Sequence, residues 1–234
     1  MAWRIRIVLE ARISEIFLSL QGEGVYMGMP QLFVRFYGCN LSCVFCDTKA
    51  DSFGTFTAEA LMEKILKYRK PYHSLSLTGG EPLLQSDFIR IFLNEYKKIY
   101  KKSVYLESNG VLWGELSGII DAVDIISMDF KLPSSTGGPE LWREHEKFLG
   151  IAAEKKVFVK AVITRGTARA DIVRMAEIVR KIDAGIPVVL QPVTTSIESE
   201  NVQSENIDRF RGILKKGLGR CEVIRQLHKI MGIR

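Results

Sequence analysis

Six short, almost wholly apolar runs constrain the fold most: Leu32–Phe36, Ser74–Leu77, Ser103–Glu107, Ile125–Met128, Val157–Ile163 and Val188–Gln191. Runs of this length and character predict strands of a parallel sheet covered by other elements, rather than half-exposed hairpins. Longer amphipathic stretches at Thr57–Tyr68, Gln85–Tyr100, Pro139–Glu154, Arg169–Lys181 and Glu205–Leu218 predict helices between or after them. A β-then-α alternation implies crossover units. Six strands are too few to close an eight-stranded barrel, so the expected architecture is α/β, an open partial (β/α) barrel of about six parallel strands. No repeat, low-complexity tract or linker divides the 234 residues. The chain therefore reads as a single domain, 1–234.

Composition narrows the class. Hydrophobic residues make up 47% and charged residues 26%, ordinary for a soluble globular protein with a core large enough for an enzyme. No stretch reaches the roughly 18–20 uninterrupted apolar residues of a membrane span. The opening residues have too short an apolar run for a signal peptide, so the expectation is a cytoplasmic protein with no membrane partner. The formal charge is +6. Basic pairs such as Lys97-Lys98, Lys101-Lys102, Lys155-Lys156 and Lys215-Lys216 lie in or beside expected helices and read as solvated faces. A nucleic-acid partner is not expected, because no recognition motif or basic stripe with interleaved aromatics is present. An anionic small molecule fits the charge equally well.

Three of the four cysteines lie together, Cys39, Cys43 and Cys46, spaced C-x-x-x-C-x-x-C just after the first apolar strand. A structural zinc site would want four protein ligands, and no second Cys/His pair follows. Three thiolates can instead hold three irons of a [4Fe–4S] cube and leave the fourth iron open to a ligand. Other polar or glycine-rich motifs also follow strand ends: Thr78-Gly79-Gly80-Glu81-Pro82, Glu107-Ser108-Asn109-Gly110, Asp129-Phe130-Lys131 and Gln191-Pro192. In parallel α/β folds the C-terminal strand ends build the site, so these motifs are expected to converge on one mouth. In Thr78–Pro82 the glycines would let the main chain approach a ligand, and the carboxylate of Glu81 would suit an ammonium. His73 and His145 read as surface residues, Cys221 as a buried thiol, and the Phe and Tyr of 85–100 as core. His228 reads as a structural hydrogen-bonding residue as readily as a catalytic one.

The cysteine spacing with Phe45 resembles the cluster loop of radical S-adenosylmethionine (SAM) enzymes, and Thr78–Pro82 resembles that superfamily's Gly-Gly-Glu-Pro motif. Within the superfamily, Ser19-Leu20-Gln21-Gly22-Glu23-Gly24, Gly28-Met29-Pro30 and Phe33–Thr48 resemble the 7-carboxy-7-deazaguanine synthase family. The similarity continues through Glu107–Gly110, Lys131–Ser135, Gln191-Pro192 and Gln226–Lys229, and covers about Ile13 to Arg234, which implies that 1–12 is an N-terminal extension.

The resemblance implies a partial barrel of the radical SAM type, holding a [4Fe–4S] cluster, SAM and Mg²⁺. Cys39, Cys43 and Cys46 would ligate the cluster. Phe45, Asp47, Gly80, Ser108, Asp129, Lys131 and Gln191 would line SAM. Thr48 would offer its hydroxyl to Mg²⁺, a hard ion that favours oxygen. Leu20, Gln21, Gly22, Glu23, Arg35, Thr78 and Arg234 would contact the substrate, 6-carboxy-5,6,7,8-tetrahydropterin. Arg35 would bind its carboxylate. The implied product is 7-carboxy-7-deazaguanine, formed with loss of ammonia through a 5′-deoxyadenosyl radical, in the route to queuosine and archaeosine precursors. A flavodoxin or ferredoxin donor and a homodimer are further expectations of the family. Some members have Ser-Pro-Lys where this chain has Asp129-Phe130-Lys131, and threonine where it has Ser108. Two rival readings are another small radical SAM enzyme, such as a glycyl-radical activase, and a non-catalytic metal-cluster module that binds RNA.

Overall fold

The computed structural model describes residues 9–47, 50–193, 197–227 and 232, with the backbone alone for 197–205. The chain begins with β1 (Glu10–Leu20), β2 (Pro30–Phe36) and β3 (Gly54–Thr57), then α1 (Ala58–Leu66), β4 (Ser74–Gly79) and α2 (Ser86–Ile99). It continues through β5 (Ser103–Ser108), α3 (Trp113–Ser117), β6 (Ile125–Asp129), α4 (Pro133–Thr136) and α5 (Trp142–Ala152). The last elements are β7 (Lys156–Ile163), α6 (Arg169–Asp183), β8 (Val188–Pro192), α7 (Ile197–Leu214) and β9 (Cys221–Val223).

All the strands join one sheet in the order β3-β1-β2-β4-β5-β6-β7-β8-β9. From β2 through β4 to β9 each strand runs parallel to its neighbour, while β1 is antiparallel to both β2 and β3. The two edges do not pair, so the sheet is an open partial barrel. The six expected strands are present, each within two residues of its expected ends. The parallel set is larger than expected by β9, and β1 and β3 extend it on the other side.

β1 escaped the sequence pattern because a register shift interrupts it between Ile13 and Glu15. Ala11 and Ile13 face the helix-side core, and after the shift Ile16 and Leu18 do so instead. Glu15 and Phe17 are thereby turned to the opposite face, toward the mouth, which is how a bulge re-aims side chains. Glu10–Arg12, expected in an extension, pair with β3 as part of this strand. β3 and β9 are only four and three residues long, too short to carry a period.

The helices pack on one face of the sheet. Thr57 caps α1, its hydroxyl accepting the Ala60 amide at 3.2 Å. α2 buries Phe88, Ile89, Phe92, Leu93 and Tyr96, the i, i+4 stripe of a core-facing helix, so the aromatics of 85–100 are core as expected. α7 begins eight residues before its expected start, because the polar run from Glu198 has no apolar period.

The concave face holds a smaller cluster, Tyr105, Ile125, Phe158 and Val189, plugged by Val25 and Tyr26 from the loop after β1. That plug needs glycine at position 24. Gly24 has φ of 64°, and a Cβ there would lie 2.5 Å from the Phe158 ring. Above the plug, period-2 alternation along β7 turns Lys160 and Val162 inward over Phe158.

Candidate active site

The C-terminal strand ends surround a cavity of about 710 Å³. Its walls include Leu20, Gln21, Gly22, Glu23, Arg35, Cys39, Cys43, Phe45, Cys46 and Asp47 from the first third of the chain. Thr78, Gly80, Ser108, Asp129, Lys131 and Gln191 close it from β4, β5, β6 and β8. Every candidate residue that falls within the described part of the chain therefore meets at one mouth. Thr48, His228 and Arg234 lie outside the described residues.

The cysteine loop is held by its backbone. Glu81 N donates to Gly38 O (2.8 Å), Val44 N to Thr136 O (3.0 Å) and Cys46 N to Cys43 O (3.1 Å). Asn109 Nδ2 donates to Asn40 Oδ1 at 2.7 Å and lies 3.9 Å from Cys39 Sγ. Burial pushes the Cys43 thiol up; nearby Lys131 opposes this and the Cys39 and Cys46 sulfurs add to it. The three sulfurs thus feel one another across one wall of the cavity. Among the described residues no three His, Cys, Asp or Glu side chains converge on a single ion position. Cys39, Cys43 and Cys46 are free thiols that line one cavity, a donor set of the kind an iron–sulfur cluster uses.

The cradle beside this loop fits a ligand backbone. Gly79 has φ of 135°, and a Cβ on Gly80 would lie 2.1 Å from the Gly38 carbonyl oxygen and 3.0 Å from Cys39 Cβ. Gly80→Ala is therefore expected to push the cysteine loop aside. The check is anaerobic titration of SAM, which should bind at least about tenfold more weakly to the variant, a loss of roughly 1.4 kcal/mol. Across the cavity, Gln191 Oε1 is buried with no hydrogen-bond partner. Such an orphaned acceptor is what a cofactor donor group would satisfy.

Glu81 corrects one expectation. It is fully buried, and its carboxylate accepts from Asn109 N (2.7 Å), Ser108 Oγ (3.0 Å) and Leu83 N (3.1 Å). Burial pushes it up to about 7, against those donors and the Lys131 charge. Rather than facing an ammonium in the cavity, it ties the end of β4 to the end of β5.

On the opposite wall, Arg35 Nε donates to Glu15 Oε2 (3.1 Å), and its guanidinium lies 5.5 Å over Phe17. The bulge in β1 supplies both partners. Gln21 Nε2 donates to Glu107 Oε1 (2.7 Å) and Gln31 Oε1 (3.0 Å), while Thr78 Oγ1 donates to Glu107 Oε2 (2.7 Å). Glu107 thus organises two of the expected substrate contacts.

Four charges cross the centre. Lys160 Nζ pairs with Glu23 Oε2 and lies 3.1 Å from Asp129 Oδ1, and Lys131 Nζ lies 2.7 Å from Asp129 Oδ2. Burial alone would raise Glu23 and Asp129, but the ammoniums outweigh it and hold both carboxyls below the usual range. Burial opposes the charge on Lys160 and Lys131, yet the carboxylates hold both ammoniums above theirs. Gln226 Nε2 donates to Glu23 Oε1 (2.8 Å) and lies 3.4 Å from Asp47 Oδ2. Leu227 N donates to Gly22 O (2.9 Å), which draws the segment after β9 over the mouth.

The sequence motifs include Glu107, Asn109 and Gln226 without assigning them a role, and Lys160 lies outside them. The available signal was a lone charge inside an apolar strand, Glu107 in β5 and Lys160 in β7. Three expectations are corrected. His145 is fully buried, with Nε2 3.3 Å from Lys131 N and 3.2 Å from Asn109 O, and it packs against Phe130. His73 is half-buried, bonded to Ser74 and beside Tyr26. Cys221 is half-buried at the sheet edge rather than enclosed.

The Radical SAM superfamily profile matches residues 33–198. The 7-carboxy-7-deazaguanine synthase of Geobacter sulfurreducens is 34% identical, over 95% of this chain and 97% of that one. The 7-carboxy-7-deazaguanine synthase of Archaeoglobus fulgidus is 29% identical, over 97% and 100%. In fold, the crystal structure of QueE from Escherichia coli matches with a TM-score of 0.62 at 21% identity, covering 94% of this chain and 95% of that one. Among the described residues, no helix is long and apolar enough to cross a membrane.

Proposed function

The chain belongs to the radical SAM superfamily and, within it, to the 7-carboxy-7-deazaguanine synthase family, and on that footing we propose that it converts 6-carboxy-5,6,7,8-tetrahydropterin to 7-carboxy-7-deazaguanine with loss of ammonia. It is a radical SAM enzyme of 7-deazapurine biosynthesis, and the family implies a [4Fe–4S] cluster and SAM. One observation carries the substrate reading: Arg35, Glu23 and the three cysteines line a single cavity of about 710 Å³, a volume suited to a small-molecule site.

Bound there, a cluster and SAM would supply radical hydrogen abstraction at the substrate carbon that bears the carboxylate. Cys39, Cys43 and Cys46 would hold the cluster. Phe45, Asp47, Gly80, Ser108, Asp129, Lys131 and Gln191 would line SAM along the strand ends from β4 to β8. Arg35, fixed through Nε by Glu15, would bind the substrate carboxylate with its other guanidinium nitrogens. Glu23 and Glu107 present acceptor oxygens suited to the N–H edge of a pterin, with Leu20, Gln21, Gly22 and Thr78 around it and Arg234 at the chain end. Phe17, Phe33 and Val162 would supply apolar wall beside the substrate.

We assign Mg²⁺ to Thr48. Among the described residues no set of acidic side chains surrounds such an ion. It would therefore take most of its oxygens from substrate and water, as Mg²⁺ commonly does. Thr48→Ala is expected to raise the Mg²⁺ concentration for half-maximal turnover by about tenfold. Titrating Mg²⁺ against initial rate checks it, and an unchanged midpoint removes Thr48 from the ion.

Family membership supports a cytoplasmic homodimer reduced by a flavodoxin or ferredoxin. The exposed Cys39 and Cys46 are consistent with electron entry at this loop. One radical SAM domain over 1–234 is supported by the single sheet running from Glu10 to Val223. The experiment for the substrate assignment compares carboxytetrahydropterin with tetrahydropterin lacking the carboxylate. Ammonia release should match consumption of the first and be absent with the second; equal ammonia from both would reject the assignment.

A further inference from the structure

Two halves of the mouth meet at one side chain. Glu23, on the loop after β1, belongs to the proposed pterin side. Asp129, at the end of β6, belongs to the proposed SAM side. Lys160 is the register neighbour of Asp129 on β7, so both side chains project from the same face of the sheet. Its ammonium touches Glu23 Oε2 and lies 3.1 Å from Asp129 Oδ1. The Lys160 side chain is only 7% exposed, so neither carboxylate can exchange it freely for water. Asp129 in turn engages Lys131 through its other oxygen at 2.7 Å. Two carboxylates and two ammoniums thus share one neutral set, with the buried Lys160 at its centre.

We propose that Lys160 is a positioning residue that makes the pterin and SAM subsites bind cooperatively, an inference that rests on the two subsites proposed above. A pterin that donates its N–H groups to Glu23 supplies positive character where Lys160 now does. The Lys160 ammonium is then drawn toward Asp129. Asp129, better satisfied by Lys160, loosens its hold on Lys131, whose ammonium becomes available to the cofactor. The same steps run in reverse when SAM engages Lys131 first, because coupling between two sites is reciprocal. Gln226 sets the geometry on the pterin side by bonding the other oxygen of Glu23 at 2.8 Å.

The test is equilibrium binding by calorimetry to the anaerobically reconstituted enzyme without reductant, so that no turnover occurs. SAM and carboxytetrahydropterin are each titrated alone and then with the other saturating. In the wild-type enzyme each ligand should tighten the other by the same factor, about tenfold and within the range usual for linked sites. Lys160→Met should reduce that factor to near one. Asp129→Asn should do the same, whatever it does to the affinity for either ligand alone. If Lys160→Met does not fold, the wild-type and Asp129→Asn titrations decide the matter. A wild-type factor near one overturns the proposal. So does a variant that weakens both ligands but keeps the factor, since a purely structural lysine would behave that way. Wild-type enzyme that binds SAM but no pterin overturns the substrate assignment itself, and the cooperativity with it.

Discussion

Cys43→Ala is expected to reduce SAM cleavage to background while leaving the fold intact. Three thiolates are the complement that holds a [4Fe–4S] cube with one iron open, and two do not. The loop does not depend on the Cys43 side chain for its position. Its backbone is tied to the end of β4 through Gly38 O, and to α4 through Val44 N. The variant should therefore show a wild-type circular dichroism spectrum. After anaerobic reconstitution it should have depleted iron and sulfide and form no 5′-deoxyadenosine with SAM and dithionite. Cleavage at a wild-type rate would remove Cys43 from the ligand set.

The second large effect is acid destabilisation through His145. Burial pushes its imidazole down to about 3; the Asn109 carbonyl opposes this and the Lys131 charge reinforces it. Nδ1 is buried without a hydrogen-bond partner, so an imidazolium proton there would be unsatisfied. The folded value lies below the unfolded one. The stability contributed by neutral His145 is therefore fully present above about pH 6.5 and is lost as pH falls toward 3. One pKa unit corresponds to about 1.4 kcal/mol, so the loss should reach about 2 kcal/mol between pH 6.5 and pH 5. Glu23 and Asp129, held low by the lysines, also lose stability on acidification. They do so equally in a His145→Gln variant, and comparison cancels them. Anaerobic urea unfolding at pH 6.5 and pH 5 should show the wild type losing about 2 kcal/mol more than His145→Gln. Equal losses would mean that His145 is not held neutral by the fold.

The legible parts of the molecule were those with local signals. β2 and the strands from β4 to β8 announced themselves because buried parallel strands are apolar on both faces. The cysteine loop and the glycine pair were legible because few chemistries need those residues at that spacing. β1 was hidden by its own bulge: Ala11 and Ile13 set one period and Ile16 and Leu18 the other. That shift also brings Glu15 and Phe17 to Arg35, so the element hardest to read supports a proposed substrate contact. Glu81 was misread because a carboxylate beside two glycines looks the same whether it faces a ligand or a buried amide. Only the packing of β5 against β4 decides for Asn109 N. His145 and Lys160 depend on contacts with residues distant in sequence, Asn109 36 positions away and Glu23 137 away. No local pattern carries such pairings.

The most direct test supplies the reconstituted wild-type enzyme with SAM, dithionite, Mg²⁺ and carboxytetrahydropterin under anaerobic conditions, with 7-carboxy-7-deazaguanine followed by mass spectrometry. The account predicts that this product accumulates beyond the amount of SAM supplied, with SAM regenerated between turnovers. SAM cleaved to 5′-deoxyadenosine by enzyme with a full cluster, and no 7-carboxy-7-deazaguanine formed, would contradict it.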